Sequence, residues 1–166
     1  LGFDGETHAR HAAALKELDQ AGAPLVLDSR VNRFHGVTEI TFVPRDQPAL
    51  FSKLAGALAL SGASIVNAKI FTTVDGTALD VFWVQDIGGG PFERPDRLAR
   101  LSVLAAQVVD QELDPGEALA TRRRTTSRAS AVFTYAPRVL IDNNVSTRHT
   151  VIEVNGRDRP ALLNRL

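Results

Sequence analysis

The sequence predicts an α+β domain built in the order β-α-β-β-α-β, one antiparallel sheet with two helices on one of its faces. Three observations predict it. A strand-turn-helix phrase occurs twice: residues 38–54 (TEITFVPRDQPALFSKL) and 150–166 (TVIEVNGRDRPALLNRL) align without a gap, 112 residues apart. Two runs rich in β-branched residues flank Asp75-Gly76, the strongest short hairpin signal. Two apolar stripes at helical spacing lie on either side of that hairpin.

The elements follow in order. Residues 7–21 read as a helix, with Ala12, Leu15 and Leu18 as its stripe and Gly22 as its stop. Pro24 opens an extended piece at 25–28, and polar residues 29–36 link it onward. Residues 37–43 alternate as a half-buried strand. Residues 44–48 form a polar turn. Leu50, Leu54 and Leu58 mark a helix over 49–60, with Gly62 after it as a C-terminal cap. Residues 63–74 are extended. Residues 77–85 return as a strand, with Leu79, Val81 and Trp83 on one face and Phe82 and Val84 on the other. Leu98, Leu101, Leu104, Ala105, Val108 and Val109 give a helix over 95–113. Residues 117–130, with Arg122-Arg123-Arg124, read as a charged connector, and 139–141 as the closing strand. This is the split β-α-β, ferredoxin-like plan. One face of its sheet is left for a second domain or chain to cover.

The repeat sets the domain organisation. Eight of its seventeen positions are identical, among them Arg45/Arg157, Asp46/Asp158, Pro48/Pro160 and Ala49/Ala161. The second copy stops at Leu166 within its helix, so a longer parent polypeptide is expected. Residues 1–36 are assigned to a helix and linker from a preceding domain. Residues 37–146 form a complete first unit, and 147–166 the start of a second.

Composition narrows the function. Of 166 residues, 44% are apolar and 23% charged, the balance of a globular protein. Nineteen acidic and nineteen basic side chains cancel, leaving no general field for nucleic acid or anionic lipid. Cysteine is absent, which excludes thiolate chemistry and fits a cytoplasmic setting. No apolar run approaches the ~20 residues that span a bilayer. His8 and His11 stand three apart on a helix, but no third metal ligand accompanies them, and an exposed pair is the simpler reading. Lys69 and Asp80 are a possible cross-strand pair, and Trp83 a packing residue.

The turn Arg45-Asp46-Gln47-Pro48 joins a strand end to a helix start. A helix N-terminus offers unpaired N–H groups and a partial positive charge, so it can receive a carboxylate. Asp46 offers a carboxylate to an ammonium group. Together they complement an α-amino acid. The plainer alternative is that Asp46 caps the helix and Pro48 fixes its first turn.

The strand, the Asp-x-Pro-x-Leu turn, the helix and the extended segment after it resemble an ACT domain, the small-molecule-sensing module of amino-acid metabolism. The stretches 58–86, 138–144 and 149–163 are similar to the C-terminal tandem ACT region of the bifunctional uridylyltransferase/uridylyl-removing enzymes that modify the PII signalling protein. That resemblance implies a bacterial, cytoplasmic nitrogen-regulation role. The ACT pair would sense glutamine, and other domains would transfer and hydrolyse uridylyl groups using Mg2+ or Mn2+. No catalytic motif and no metal or cofactor site of those domains is present in this chain. The implied glutamine contacts are Asp46, Gln47, Pro48, Ala49, Leu50 and Phe51, facing Asn67 and Ala68. Asp158, Arg159, Pro160, Ala161 and Leu162 would act in the second copy. The implied partners are glutamine, a second ACT domain or copy, the catalytic domains and PII. Many ACT domains carry Gly after the turn proline; Ala49 and Ala161 put a methyl group there, which narrows the approach to the backbone.

Three rivals remain at this level. One is an ACT unit that only dimerises, or that binds another amino acid. The second is an acylphosphatase-type hydrolase using Arg45 and Asn67, though the loop lacks the glycines that cradle phosphate. The third is an RNA-binding sheet, which would need exposed aromatics on its central strands.

Overall fold

The computed structural model describes residues 3–126, 138–142 and 151–155. Along the chain these form α1 (Gly5–Ala21), β1 (Leu25–Asn32), β2 (Val37–Pro44), α2 (Leu50–Ser61), β3 (Ala63–Thr72), β4 (Ala78–Asp86), α3 (Pro95–Val109), α4 (Pro115–Thr126), β5 (Arg138–Asp142) and β6 (Val151–Asn155). The first four strands make one antiparallel sheet in the order β1-β2-β4-β3. The class is α+β and ferredoxin-like, as the sequence predicts.

Alternation along the strands sends side chains to two different layers. Ile40, Phe42, Phe82 and Val84 meet Leu50, Leu54 and Leu58 of α2 and Leu101, Ala105 and Val108 of α3. Leu54 and Leu58 are fully buried, and burial of each contributes roughly 1.5–3 kcal/mol. Gly62 ends α2 in a left-handed conformation (φ 85°), where its N–H donates to the Ala59 and Leu58 carbonyls; glycine adopts that conformation without steric cost.

The opposite sheet face is not left for another domain. Val26, Val43 and Leu79 pack against Ala14, Leu15 and Leu18 of α1. Helix α1 starts on Asp4, whose Oδ1 accepts the Thr7 N–H at 2.8 Å. Ion pairs then fasten it to the strands beneath: Arg10 to Asp28 and Glu39, and Glu6 to Arg30.

The fourth strand of the sheet comes from a different place than the sequence suggests. The edge beside β2 is filled by β1, from the segment read as a short extended piece and linker. A four-residue turn at 33–36 joins the two, so this local pairing has a low loop-closure cost. The strand at 139–141, expected to close the sheet, instead pairs with β6. In the first hairpin Val26 faces Val43; in the second Arg138 faces Asn155, and all five rungs of the second ladder repeat the first with both strands advanced by 112 residues. The repeat therefore reaches upstream of its obvious phrase, to include the strand before it.

Two smaller differences concern helices. The predicted helix over 95–113 stops at Val109, where Asp110 closes it and Gln111 turns left-handed (φ 61°). The expected connector at 117–130 is helical as far as Thr126. The Asp114 carboxylate accepts the Glu117 N–H at 3.0 Å, and Pro115 follows Asp114 as the first helical residue. That Asp-Pro-Gly-Glu start was legible as a cap. Leu119 of α4 is buried, and Arg122 donates to the Leu60 carbonyl at the end of α2. Among the described residues no helix is long and apolar enough to cross a membrane.

Candidate functional site

The turn between β2 and α2 is held from several sides. Arg45 bridges to Thr77, and the Asp46 N–H donates to the Gly76 carbonyl at 2.9 Å, so the turn rests on the β3–β4 hairpin. Gln47 spans the helix layer: its Nε2 donates to the Val109 carbonyl at 3.0 Å, and its Oε1 accepts from Lys53 Nζ at 3.2 Å. Pro48 is exposed. Ala49 adopts the left-handed region (φ 60°, ψ 21°). Leu50 enters the core, and Phe51 stacks on Phe82 with ring centroids 5.6 Å apart and planes 11° from parallel.

Asp46 does not cap α2. The N-cap residue of that helix is Ala49, which makes no side-chain cap bond. The Asp46 carboxylate accepts a hydrogen bond from Thr72 Oγ1 at 3.3 Å. The plain capping alternative is thus set aside by geometry, and the helix start keeps its partial positive charge. Ala49 also explains the preference for Gly at this point of the turn: the backbone there is left-handed, and a Cβ is tolerated at a cost.

Of the two facing residues, the structure brings only one to the helix side. Ala68 lies opposite Phe82 and packs at the rim of the α2–α3 core. Asn67 lies opposite Trp83, next to the bulge between Ile65 and Asn67, so it belongs to the α1 side of the sheet. Its Oδ1 accepts the Ala68 N–H at 2.8 Å. Asp158, Arg159, Pro160, Ala161 and Leu162 lie outside the described residues.

One residue of this region has a different role from the cross-strand pairing that the sequence suggests. Asp80 is 1% exposed, and among the described residues neither of its carboxylate oxygens has a hydrogen-bond partner. It lies opposite Phe42 on one side and Ile70 on the other. Burial, reinforced by the Asp46 carboxylate, pushes its pKa up to about 7. The signal was in the strand: Asp80 shares the face of Phe82 and Val84, a charged residue on an apolar row. Lys69 is not its cross-strand partner. Lys69 lies opposite Val81, with its ammonium over the rings of Phe3 (4.7 Å) and Trp83 (5.7 Å) on the α1 side.

The remaining candidates fall away. His8 is exposed, but His11 is buried against the Phe3 ring, so the two are not an exposed pair. No group of three potential metal ligands exists among the described residues. Arg45 bridges to Thr77 and is engaged by Asp19, whereas Asn67 lies opposite Trp83, far along β4 from Thr77, so the hydrolase pairing does not assemble. The sheet face an RNA-binding domain would expose lies under α1.

The chain is 51% identical over 164 residues to the bifunctional uridylyltransferase/uridylyl-removing enzyme of Azospirillum brasilense, covering 98% of this chain and 18% of that protein. It is 48% identical over 165 residues to the protein of the same name from Gluconobacter oxydans, covering 99% of this chain and 17% of the relative. The corresponding Rhodospirillum rubrum enzyme is 41% identical over 163 residues, covering 98% and 17%. The chain thus spans about 18% of the length of the relatives it matches. No family model matches the chain, and no solved structure matches it significantly.

Proposed function

We propose, on the premise that this chain is kin to one stretch of the bifunctional uridylyltransferase/uridylyl-removing enzymes, that it is a glutamine-sensing ACT region. It would sit in the cytoplasm and set the balance between addition and removal of uridylyl groups on PII by catalytic domains elsewhere in the parent protein. The chain itself supplies the sensor and no reacting group. The ligand would lie at the turn of residues 46–51, with Ala68 at its edge.

The observation that carries this reading is the uncapped start of α2. A helix N-terminus without a side-chain cap, beside an aspartate that does not cap it, has complementary places for the two charges of an amino acid. Glutamine would shift the parent enzyme only through a difference in its affinity for two arrangements of the domains. Couplings of this kind are typically about 1–3 kcal/mol. Titration calorimetry of the chain with glutamine, and with glutamate as control, tests the reading. Saturable heat with glutamine alone supports it; equal affinity for both defeats the specificity.

A second reading is favoured by one observation. Among the described residues β3 has a pairing partner on only one side, and Val66 and Ile70 along it are half exposed. An edge of that kind suits association with a second copy or a second ACT unit. Light scattering across a concentration series tests this, because a self-association unit must change mass with concentration.

A further inference from the structure

We propose that Asp80 is the residue that receives the ligand's ammonium group, making the floor beneath the α2 turn a site for a primary ammonium. The ligand class rests on the amino-acid reading above; the placement rests on the sheet register. On its α2-facing side, β4 presents Ala78, Asp80 and Phe82 in succession. Ala78 lies opposite Thr72, whose hydroxyl donates to the Asp46 carboxylate. Phe82 carries the stacked ring of Phe51. The segment from Asp46 to Phe51 therefore passes over Asp80 like a bridge anchored at both ends.

Two facts make this floor cationophilic. First, Asp80 is buried with both oxygens unpartnered among the described residues; buried carboxylates are ordinarily hydrogen-bonded or paired, because an unpaired one is costly. Second, four cations of neighbouring elements are committed elsewhere. Arg45 is held by Asp19 and Thr77, Lys53 by Gln47, Arg97 by Asp86, and Lys69 lies on the other sheet face. The other ionisable group that acts on Asp80 is Asp46, a second negative charge. An ammonium group supplies three N–H donors and a positive charge. It would answer Asp80, Asp46 and the Thr72 hydroxyl at once. The carboxylate on the same ligand carbon would then face the uncapped start of α2. The approach is from the β3 edge, where Ile70, the cross-strand neighbour of Asp80, is 51% exposed.

The test is a calorimetric comparison of the chain with its Asp80→Asn variant, which keeps the shape of the side chain and removes its charge. The probes are glutamine, glutaramic acid (glutamine with hydrogen in place of the amino group), methylammonium and the other common amino acids. Glutamine is expected to bind the variant about tenfold more weakly, the scale of one lost charged hydrogen bond. Removing the amino group from the ligand should cost the wild-type chain a similar factor and the variant little more. If glutamine binds both proteins alike, or if glutaramic acid binds the wild-type chain as well as glutamine does, the Asp80 assignment is overturned and the glutamine reading stands. If another amino acid or methylammonium binds with this dependence on Asp80 and glutamine does not, the ammonium site stands and glutamine falls. If no probe binds, both fall. In the wild-type chain, the carboxyl-carbon NMR signal of Asp80 should also move to its ionised position when the bound ligand is added near pH 6; a signal that stays put under saturation counts against the assignment independently of the variant's folding.

Discussion

Arg45 donates to the Asp19 carboxylate at 3.0 Å, so the residue that opens the α2 turn is joined to the last turn of α1 on the opposite side of the sheet. The same guanidinium donates to Thr77 Oγ1 at 2.9 Å. Arg45 thus connects the turn, the β3–β4 hairpin and α1. Both members of the Arg45–Asp19 pair are well exposed, and exposed pairs contribute under about 1 kcal/mol. Arg45→Ala and Asp19→Ala should therefore each lower stability by less than about 1 kcal/mol. Their double variant should lose less than the sum of the two. Urea denaturation at low and high salt checks this: the coupling should shrink as salt screens it, and a coupling unaffected by salt would point to packing instead.

Ala49 holds a left-handed backbone that glycine adopts more easily. Ala49→Gly is expected to stabilise the chain by roughly 1 kcal/mol, since left-handed geometry costs an L-residue about 1–2 kcal/mol and glycine's looser unfolded chain returns part of it. The measurement is the urea midpoint at constant m-value. A destabilised variant would show that the methyl group packs usefully against the turn.

The β3–β4 hairpin, the α2 stripe and the turn at Asp46 were legible because each has a local signature: alternation, spacing of four, or Asp-Gly. What was illegible depends on competition between segments. The strand at 139–141 and β1 carry similar short apolar runs, and nothing within either says which will occupy the edge of β2. Loop length decides it, because the turn at 33–36 brings β1 to β2 before any later strand can arrive. The cover on the outer face was hidden for a related reason. The stripe of α1 is short, and much of its attachment is ionic, through Arg10 and Glu6, which a search for apolar periodicity passes over. The pairing of Asp80 with Lys69 fails on the β3–β4 register, which sets Ile70 opposite Asp80 and Lys69 opposite Val81 and so puts the two on different faces.

Asp80 should give the chain an unusual pH profile. Its folded-state pKa is raised to about 7, by burial first and Asp46 second. Below the ordinary aspartate pKa, both folded and unfolded states hold the proton and nothing is lost. As pH rises from about 4 towards 7, the unfolded state releases its proton more readily, so folding loses stability and the loss levels off above pH 7. Asp80→Asn removes the titration. The variant should gain on the wild-type chain by a few kcal/mol across that window, read from denaturation at a series of pH values in ligand-free buffer. Parallel profiles for the two proteins would mean that Asp80 has a partner.

His11 works with the opposite sign. Burial, with help from Arg10 and His8 and against the pull of Asp28, lowers its pKa, so the folded state holds it neutral. As pH falls below about 6.5 the unfolded chain takes up a proton that the folded chain refuses, and stability is lost. The loss should be felt at α1, because the His11 ring meets Phe3 edge-on at 4.8 Å and Phe3 stacks on Trp83. Trp83 is the single tryptophan of the chain, so its emission reports this contact. His11→Leu keeps an apolar side chain under α1 and removes the titrating nitrogen. Asp80 and Glu39 titrate upward in the same protein, so the comparison is made between wild type and variant at each pH, not along one curve. Between pH 7 and pH 5 the wild-type chain should lose stability relative to His11→Leu, and its Trp83 emission should shift to the red at lower denaturant. Equal shifts in both proteins would show that His11 finds a proton-accepting partner when charged, and that the hold of α1 on the sheet does not depend on its neutrality.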